Sequence, residues 1–533
     1  MKSLAERMDL VVLQMAEEAW ARPLKSSGLW HHHDIRNNFY DAAYLFAAAI
    51  DKKLTLSFDR EAALNLASSV FMNVLSLQDQ QPDSPTLGHW PLHLGEDPKS
   101  AEKNTLPAEL MGCLMVYWHD RYELQMTEEL ATMFERAMEA MYKSGFYRQP
   151  QKTFSHHEAK YTSLKLLFGT RYQDSELLAA GRDDLRLTIQ RVQKEGMAEY
   201  GALPWFWHWM QSLTCAFLYM EDSEVKNELA SLLELLWNYR ADHYLNGAWI
   251  GGRMRSLPVD LPREQNVAFD YVQFGDFELP KPLLRVEFAG ILHYEASEAV
   301  RQKALNREPR SLRYTITPAV SEVPLRQSIY RTQHAATGGL LERVSEFDNE
   351  QHRWEVTLPL SDTEGANRLY LFTPGDGYNE GDPRHEGSAG EMFYHKHTVM
   401  GLYGQDDSLR PIVGVLPKGS WVLKDNNRAY VELQHLYIAV FMPGQLSLTA
   451  LRHYVELRSQ GHALGNGYVV EVIEKSTASD YAIHTFEDFT AVMEQRQPQW
   501  ELAEDRLSAS YVTIGGDEVS LSIDEQGHVV RRA

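Results

Sequence analysis

The stretch 286-VEFAGILHYEASEAVRQKAL-305 and the segment 328-SIYRT-332 lie on either side of a change in hydrophobic period, and this change decides the fold. The first stretch carries apolar residues at the i, i+3, i+4 and i+7 spacing of a helix. From about residue 310 onward, apolar and polar residues alternate with the period of two that strands show. The chain therefore divides into a helical half and a β-rich half.

Upstream of this change, the sequence predicts ten helices. One face of the predicted helix 127–143 is formed by six apolar residues, Leu130, Met133, Phe134, Ala137, Met138 and Met141. Asp174 and Asp222 stand at positions where helix N-caps are expected. The predicted helices are 3–21, 35–50, 59–78, 106–121, 127–143, 155–168, 174–194, 205–220, 223–240 and 286–305. Helices in sequential hairpins predict an α/α toroid, an incomplete barrel of helical hairpins, or else a solenoid of helix pairs.

Downstream of the change, the segments alternate and are rich in β-branched residues. Three of them are HRWEVTLPL (352–360), AYVELQHLYIAVFM (429–442) and GYVVEVIE (467–474). Many short antiparallel strands of this kind predict a β-sandwich. We therefore expect an α+β protein of two domains, a toroid over 1–308 followed by an antiparallel β-sandwich over 309–533.

Composition places the chain among ordinary globular proteins. Of its 533 residues, 44% are hydrophobic and 24% are charged, which excludes disordered, collagenous and coiled-coil chains. The two cysteines, Cys113 and Cys215, are too few for a disulfide scaffold or a Cys-ligated zinc site.

Charge and hydropathy limit the partners. The net charge of −22 repels a phosphate backbone, so nucleic acid is not an expected partner. No apolar run reaches the roughly 18 residues of a membrane-spanning helix. The N-terminal segment lacks the features of a secretory signal, which predicts a cytoplasmic location.

Two clusters in the helical half carry candidate catalytic chemistry. The first is Ser155-His156-His157-Glu158, with Tyr161 on the same helix face as His157. A histidine pair can act as a base, bind an anion or hold a metal, and the alternative is helix capping by Ser155 beside partly buried histidines.

The second cluster is rich in aromatic residues and follows about forty residues later. Glu199 and Tyr200 precede Trp205, Trp207 and His208, and nine of the twelve tryptophans lie in the first 250 residues. Aromatic faces stack on sugar rings, so these residues and Trp90, in the loop 79–104, predict a glycan groove. A tryptophan-rich core is the alternative.

Three further clusters are candidate binding sites. Arg253 and Arg255 follow Gly251-Gly252 and can bind a carboxylate or sulfate, unless they pair with carboxylates of the protein. His395 and His397 would share one face of a strand and could contact substrate or hold a metal, although no further ligand is identifiable. Asn38 could reach a ligand carboxylate near Asp34, a predicted N-cap.

The order of these parts resembles the heparinase II/III-like and alginate-lyase-like polysaccharide lyases, over most of the chain and as architecture more than as a sharp signature. In that family an Asn/His element is followed, one helical hairpin later, by a Gly-x-x-Glu segment with a catalytic tyrosine. The resemblance implies that His156 or His157 neutralises the substrate carboxylate and that Tyr200, beside Glu199, is the acid/base. Ser155 stands where that family has Asn, and its tyrosine often lies a few residues beyond the position of Tyr200.

The resemblance implies a lyase that cleaves a uronic-acid-containing glycan by β-elimination. Such an enzyme neutralises the C6 carboxylate and removes the C5 proton with a His or Tyr. Two alternatives remain, an inverting hydrolase with two carboxylates among Glu199, Asp34 and Glu109, and a non-catalytic carbohydrate-binding protein. The expected partner is an acidic oligosaccharide or polysaccharide, and no catalytic cofactor or metal is expected. A structural divalent cation in the β-domain and a homo-oligomer are left open.

Overall fold

The computed structural model describes seven ranges, 2–319, 321–343, 352–374, 389–404, 411–460, 465–503 and 506–533. It contains two compact units that alternate along the chain. The first unit comprises Met1–Ala198, Pro204–Tyr239 and Asn266–Arg301, and the second Glu199–Leu203, Arg240–Gln265 and Gln302–Ala533. The chain crosses from the first unit to the second for the last time at Arg301–Gln302. The domain boundary expected between residues 308 and 309 stays a prediction.

The first unit is built from helical hairpins in which buried and amphipathic helices alternate. Helices α2, α4, α6 and α8 are buried on nearly all sides, whereas α1, α3, α5, α7 and α9 each keep an exposed face. The helices up to residue 305 are α1 (Leu4–Ala21), α2 (Ile35–Ile50), α3 (Arg60–Ser76), α4 (Thr105–Tyr122), α5 (Glu128–Ser144), α6 (His156–Arg171), α7 (Ser175–Glu195), α8 (Leu203–Tyr219), α9 (Ser223–Asp242), α10 (Ala268–Gln273) and α11 (Glu298–Leu305).

The helix starts follow from side chains that accept hydrogen bonds from free backbone N–H groups. Asp34 accepts from Arg36 at the start of α2, Asp174 from Leu177 at α7, and Asp222 from Glu224 at α9. The three N-caps expected from the sequence are thus confirmed.

The predicted helix over 286–305 is wrong in its first half, since only Glu298–Leu305 is helical. Arg285 and Glu287 adopt left-handed backbone conformations, with φ of 51° and 37°. Left-handed residues other than glycine are uncommon, and they interrupt a right-handed helix. The apolar spacing of this segment therefore reflects a buried turn rather than a helical face.

The second unit contains the predicted antiparallel sandwich. An eight-stranded sheet has the order β16-β17-β12-β9-β8-β7-β6-β5 and a six-stranded sheet the order β10-β11-β18-β15-β14-β13. Their strands are β5 (Arg310–Ile316), β6 (Leu325–Arg331), β7 (Ala336–Leu340), β8 (Trp354–Thr357), β9 (Arg368–Phe372), β10 (Glu391–His395), β11 (Thr398–Tyr403), β12 (Ile412–Leu416), β13 (Val422–Lys424), β14 (Arg428–Glu432), β15 (Leu436–Phe441), β16 (Leu446–Ala450), β17 (Val455–Ser459) and β18 (Asn466–Glu474).

A further layer covers the outer face of the six-stranded sheet. Val399 of β11 faces the core between the two large sheets, whereas its neighbour Met400 faces a second core. That second core is closed by four strands and a helix, β19 (Gln499–Ala503), β20 (Arg506–Val512), β21 (Glu518–Asp524), β22 (Val529–Arg532) and α13 (Phe486–Glu494), which follows the short α12 (Lys475–Ala478). The six-stranded sheet is therefore buried on both faces, which explains its nearly continuous apolar strands.

Four shorter strands form two hairpins outside these sheets, β1 (Trp90–Pro91) with β2 (Lys103–Asn104) and β3 (Tyr244–Leu245) with β4 (Ala248–Trp249). The sequence segment 429–442, which reads as one strand, is itself a hairpin of β14 and β15. Within the described ranges, no helix is both long and apolar enough to cross a bilayer.

Candidate active site

The first unit gathers charged and aromatic side chains at the N-terminal ends of its buried helices. These side chains are Arg36 on α2, Glu109 on α4, His156, His157, Lys160 and Tyr161 on α6, and Trp205 and His208 on α8. Backbone N–H groups at helix N-termini are partly unpaired and carry positive partial charge, which favours anions. The cluster therefore has the electrostatics of an anion site in a chain of net charge −22.

Glu109 holds three side chains of α6 at once. It accepts hydrogen bonds from His157 Nδ1 at 2.7 Å and from Tyr161 at 2.9 Å, and it pairs with Lys160 Nζ at 2.5 Å. His157 and Tyr161 thus share one helix face, as their spacing predicted. The hydrogen bond to Glu109 keeps the proton of a neutral His157 on Nδ1 and leaves Nε2 as the basic nitrogen.

The Glu109 carboxylate is charged despite its burial. Burial alone raises the pKa of Glu109, but the Lys160 ammonium and the hydrogen bond from His157 lower it to about 2. Burial, followed by the effect of Glu109, raises the pKa of Tyr161, which is therefore a phenol at neutral pH. The side chain of His157 remains 38% exposed, so this imidazole can be reached from solvent.

The loop before α6 is fixed by Glu158 rather than by the predicted cap at Ser155. Ser155 occupies the N-cap position, but its side chain accepts no capping hydrogen bond. Instead the Glu158 carboxylate accepts from the backbone N–H groups of Lys152, Thr153 and Phe154 at 2.6–3.1 Å. These contacts hold the backbone on which the two histidines begin the helix.

His156 joins this group to α8. Its ring lies 4.0 Å from that of His157, 5.7 Å from that of His208 and 6.0 Å from that of Trp205. Trp205 is half-buried, so part of its face can stack on a sugar ring. Burial, followed by the positive charges of Lys160 and Arg36, lowers the pKa of His208 well below its ordinary value, and this histidine is neutral.

Glu287 completes the cluster from the turn that the sequence predicted as helix. Its Oε1 lies 3.7 Å from His208 Nε2. Burial raises the pKa of Glu287 to about 7, against the opposing effect of Arg285 and Arg36. Glu287 Oε2 and His208 Nδ1 are buried and have no hydrogen-bond partner, so both can bind a ligand group or water.

Two arginines supply positive charge beside Glu287. Arg36 is held by Asp34, with Nη2 2.6 Å from Oδ2 and Nε 2.9 Å from Oδ1. Arg285 is exposed and forms no ion pair with any residue that the structure describes. An exposed, unpaired guanidinium offers forked donors to a carboxylate, so Arg285 is the stronger candidate for a substrate clamp.

The raised pKa of Glu287 predicts a pH-dependent cost to stability. The unfolded chain releases this proton near the ordinary pKa of 4.5, whereas the folded chain keeps it up to about pH 7. The free energy of unfolding therefore falls as pH rises through this window, by on the order of 3 kcal/mol in total. We expect Glu287→Gln to raise the unfolding free energy by that amount at pH 8 and by much less at pH 4.5, as measured by urea titration.

Glu139→Gln provides the control for this experiment. Glu139 lies on α5 with a side chain that is 54% exposed, and its pairing with Lys143 contributes at most about 0.5 kcal/mol. An equal gain from Glu287→Gln at both pH values would contradict the proposed protonation of Glu287.

Three other residues predicted to bind substrate in this unit are buried and bonded to the backbone. Trp207 donates to Asn266 O at 2.9 Å and stacks on Phe269, and Trp90 donates to Val74 O at 2.9 Å. Asn38 accepts from the backbone N–H groups of Trp30 and His31. Their geometry supports packing and turn formation, and we do not place them in contact with substrate.

Glu199, Tyr200, Arg253 and Arg255 belong to the second unit. Tyr200 is fully buried and packs with apolar residues of the sandwich. Arg253 is 1% exposed and pairs with Glu264 at 2.7 Å. Arg253 therefore pairs with a carboxylate of the protein, which was the alternative to binding a ligand. Its burial does not support contact with a sugar. Arg255 is half-buried, and Glu199 is buried.

The two strand histidines do not share one strand face, because β10 ends at His395 and Lys396 adopts a left-handed conformation with φ of 48°. His395 Nε2 lies 2.8 Å from Asp517, whereas His397 packs edge-on against Tyr330. A different set of donors converges in the second unit, since ligand atoms of His334, Asp362 and His435 all lie within 4.8 Å of one another.

Sequence reasoning missed Arg36, Lys160, Arg285 and Glu287. Lys160 stands three residues after His157, so the spacing alone predicts that the two side chains are neighbours on the helix surface. Arg285 and Glu287 had no such signal, because Glu287 lies in a segment with the apolar spacing of a helix and Arg285 lies directly before that segment.

Solved structures with a similar fold are polysaccharide lyases. The chondroitin AC lyase of Streptomyces coelicolor, solved in complex with chondroitin sulphate, matches with a TM-score of 0.53 and 11% identity over 99% of this chain and 88% of that chain. A Paenibacillus xanthan lyase matches with a TM-score of 0.51 and 12% identity over 98% of this chain and 61% of that one. This chain has the polysaccharide-lyase fold.

The expected architecture, a helical toroid followed by an antiparallel β-sandwich, is thereby confirmed. No protein-family model matches the sequence, and no curated protein is detectably similar to it. At identities of 11–12%, the likeness establishes the lyase fold alone. The narrower heparinase II/III-like assignment stays a prediction.

Proposed function

We propose that the protein is a lyase that cleaves short uronic-acid-containing oligosaccharides by β-elimination. Its active site is the group of side chains around His156, His157 and His208 in the first unit, which we call the histidine cluster. The observation that carries the proposal is the pairing of the accessible His157 with the buried Glu109 carboxylate. A general base needs a basic atom that substrate can reach and a partner that orients it. His157 Nε2 makes no hydrogen bond with any described residue, so it is open to a substrate proton.

In the proposed reaction, His157 Nε2 removes the C5 proton of the uronate. The electron pair of that C–H bond forms the C4–C5 double bond, and the C4–O bond breaks. The imidazolium then returns the proton to the departing oxygen, so His157 ends the cycle neutral. Glu109 stabilises the transient imidazolium, while Lys160 balances the charge of Glu109 in the ground state. Tyr161 and Lys160 act as positioning residues.

The substrate carboxylate is assigned to Arg285, supported by the protonated Glu287 and the N-terminus of α2. Charge develops on this carboxylate as C5 loses its proton, so a donor that faces it stabilises the transition state more than the ground state. The positive charge of Arg285 lowers the pKa of both Glu287 and His208, which supports the assignment of Arg285 to the same site. Trp205 offers the stacking surface for the sugar ring.

A hydrolase is the second candidate, and one observation favours it. Glu287 has a pKa of about 7, which suits a general acid for a glycosidic oxygen. An inverting hydrolase would also need a second carboxylate as the base. Asp34 is the candidate, because its negative charge contributes to the raised pKa of Glu287. The fold similarity to chondroitin and xanthan lyases supports the lyase.

The test is an absorbance screen of the purified chain with uronic-acid oligosaccharides, run beside a reducing-end assay. A lyase product carries a new conjugated double bond and absorbs in the ultraviolet. Reducing ends without absorbance would establish the hydrolase, and neither signal on any acidic oligosaccharide would leave only carbohydrate binding.

We also propose a structural divalent cation in the second unit, bound by His334, Asp362 and His435. His334 Nδ1 lies 3.2 Å from Asp362 Oδ2, and the two imidazole rings are 3.9 Å apart. Zinc–nitrogen bonds of about 2.0–2.1 Å put tetrahedral ligand atoms about 3.3 Å apart, so this donor set suits Zn²⁺ with water as a fourth ligand. Ser361 donates to the other oxygen of Asp362 at 2.9 Å and orients it.

This site joins the β6–β7 turn of one sheet to the β14–β15 turn of the other. We expect one zinc per chain by elemental analysis, and a lower melting temperature of the second unit after chelation. His435→Ala should abolish the bound zinc, whereas His484→Ala, which changes an exposed histidine of the same unit, should retain it. Failure of the chelated protein to take up added zinc would contradict the proposal.

A further inference from the structure

The second unit contains a small polar cavity between its two large sheets, on the face of the eight-stranded sheet that also carries the core residue Val356. The cavity has a volume of about 200 Å³. It is lined by residues of β5, β6, β7, the end of β10 and the β10–β11 turn, namely Ser311, Arg313, Ser328, Ile329, Tyr330, Thr337, Tyr394, His395 and Lys396. At roughly 30 Å³ per water, this volume suits one small ligand rather than a polymer.

Strand pairing explains why polar groups meet there. Tyr330 of β6 is directly opposite Ser311 of β5 on one side and Thr337 of β7 on the other. Arg313 is opposite Ser328 in the next row of the same face. Residues two apart on a strand point to the same side, so the sheet presents this group as one surface.

Two donors of this surface have no partner among the residues that the structure describes. Arg313 is exposed and forms no ion pair or hydrogen bond through its side chain with any described residue. Thr337 Oγ1 is buried and lacks a hydrogen-bond partner. Thr337 is only 1% exposed, and a buried hydroxyl without a partner costs free energy unless a ligand or water satisfies it.

The side chains of the opposite wall are held in place by hydrogen bonds and ion pairs. His395 Nε2 and Lys396 Nζ each lie 2.8 Å from Asp517, and Tyr394 donates to Leu340 O at 2.7 Å. Asp517 balances the positive charge of Lys396, so the unpaired Arg313 provides the net positive charge of the cavity. Tyr330 adds an aromatic face, which is fixed edge-on against His397.

We propose that this cavity is a binding site for a single acidic sugar residue, with Arg313 bound to its carboxylate or sulfate. A planar guanidinium matches either oxyanion, the hydroxyls of Ser328 and Thr337 complement sugar oxygens, and Tyr330 packs on the ring. His395 was predicted from the sequence to bind substrate, and here it forms part of a second site in the β-rich unit. This site is separate in function from the histidine cluster and requires no catalysis.

Ligand-observed NMR titrations of the full chain test this proposal with four probes. Methyl glucuronide carries a carboxylate, N-acetylgalactosamine 6-sulfate carries a sulfate ester, methyl glucoside is neutral, and inorganic sulfate lacks the sugar. We expect at least one acidic sugar to bind at least tenfold more tightly than methyl glucoside and inorganic sulfate. The better of the two acidic probes identifies the oxyanion. Equal binding of inorganic sulfate would overturn the assignment to a sugar.

Arg313→Ala should weaken binding of that acidic sugar at least tenfold at this site. Arg326→Ala is the matched control, because Arg326 lies on β6, is paired with Glu342 and does not line the cavity. Thr337→Val distinguishes a binding role from a structural one. Without ligand it should raise the melting temperature by removing an unpaired hydroxyl, and with ligand it should reduce the stabilisation that the sugar provides.

Unchanged binding in Arg313→Ala would overturn the proposal, as would the absence of binding by both acidic sugars. The outcome is independent of the proposed elimination. Arg313→Ala should leave elimination rates unchanged, and Arg313-dependent binding can be observed even if no oligosaccharide is cleaved.

Discussion

His157→Ala is expected to lower kcat for elimination by about 10²- to 10⁴-fold, the range that general bases contribute. The variant removes the only part of the His157–Glu109 pair that a substrate can contact, while Glu109 keeps its ion pair with Lys160. The measurement is the initial rate of ultraviolet absorbance on the best oligosaccharide from the screen. Circular dichroism and the melting temperature establish that the variant is folded.

Two variants make this result specific. His33→Ala changes an exposed histidine of the same unit and should leave kcat unchanged. Tyr200→Phe tests the assignment made by resemblance, and because Tyr200 is fully buried among apolar residues, we expect the kcat of this variant to stay near the parent value. A large loss in Tyr200→Phe with normal turnover in His157→Ala would overturn the proposed site.

Glu109→Gln refines the assignment further. The amide oxygen of the substituted side chain can still accept a hydrogen bond from His157, but it cannot stabilise an imidazolium by charge. We therefore expect a smaller fall in kcat than in His157→Ala, together with a change in the pH–rate profile. The variant removes a negative charge that contacts the proposed base, so the dependence of its rate on pH should differ from that of the parent. A purely structural role for Glu109 would leave the profile of the folded variant unchanged.

Lys160→Met is expected to lower the free energy of unfolding at pH 7 by about 3–5 kcal/mol. Lys160 and Glu109 are 1% and 2% exposed, and removing one partner leaves the other charge buried without compensation. The pKa of Glu109, about 2 in the intact pair, lies below its ordinary 4.5, so the pair adds stability above pH 4.5 and loses it as pH falls toward 2. Urea titration across pH 4–7 should show the deficit narrowing at the acidic end.

The double variant Glu109→Gln/Lys160→Met separates the charge from the packing. Replacing both partners removes the uncompensated charge, so most of the lost stability should return. Lys143→Met breaks an exposed pair on α5 whose side chains are 60% and 54% exposed, and it should change stability by less than about 1 kcal/mol. Lys160→Met with parental stability would contradict this account of α6.

Local signals predicted much of the helical unit. The N-caps Asp174 and Asp222 mark helix starts because a carboxylate one residue before a helix binds its free N–H groups. His157 and Tyr161 share a helix face because four residues make about one turn, and the structure adds Glu109 as their common partner. Such relations are short in sequence and need no knowledge of the fold.

Local signals failed where long-range burial overrides them. The turn at Glu287 has helical apolar spacing because it is buried among the inner helices, but its left-handed backbone ends any helix. Arg253 looked like an accessible clamp on a glycine-rich segment, yet it is buried against Glu264, Glu355 and Arg368. An ion pair between residues far apart in the chain leaves no periodicity to detect.

The sequence by itself determined the two structural classes, their order and the histidine pair, because hydrophobic period and capping act over a few residues. Only the tertiary structure decided which groups surround that pair. The packing of the buried helices brings together four side chains, Glu109, His157, His208 and Glu287. They come from four segments spread over 179 positions, from residue 109 to residue 287 inclusive. Charge and protonation at the site follow from that packing, since burial and neighbouring charges set each pKa.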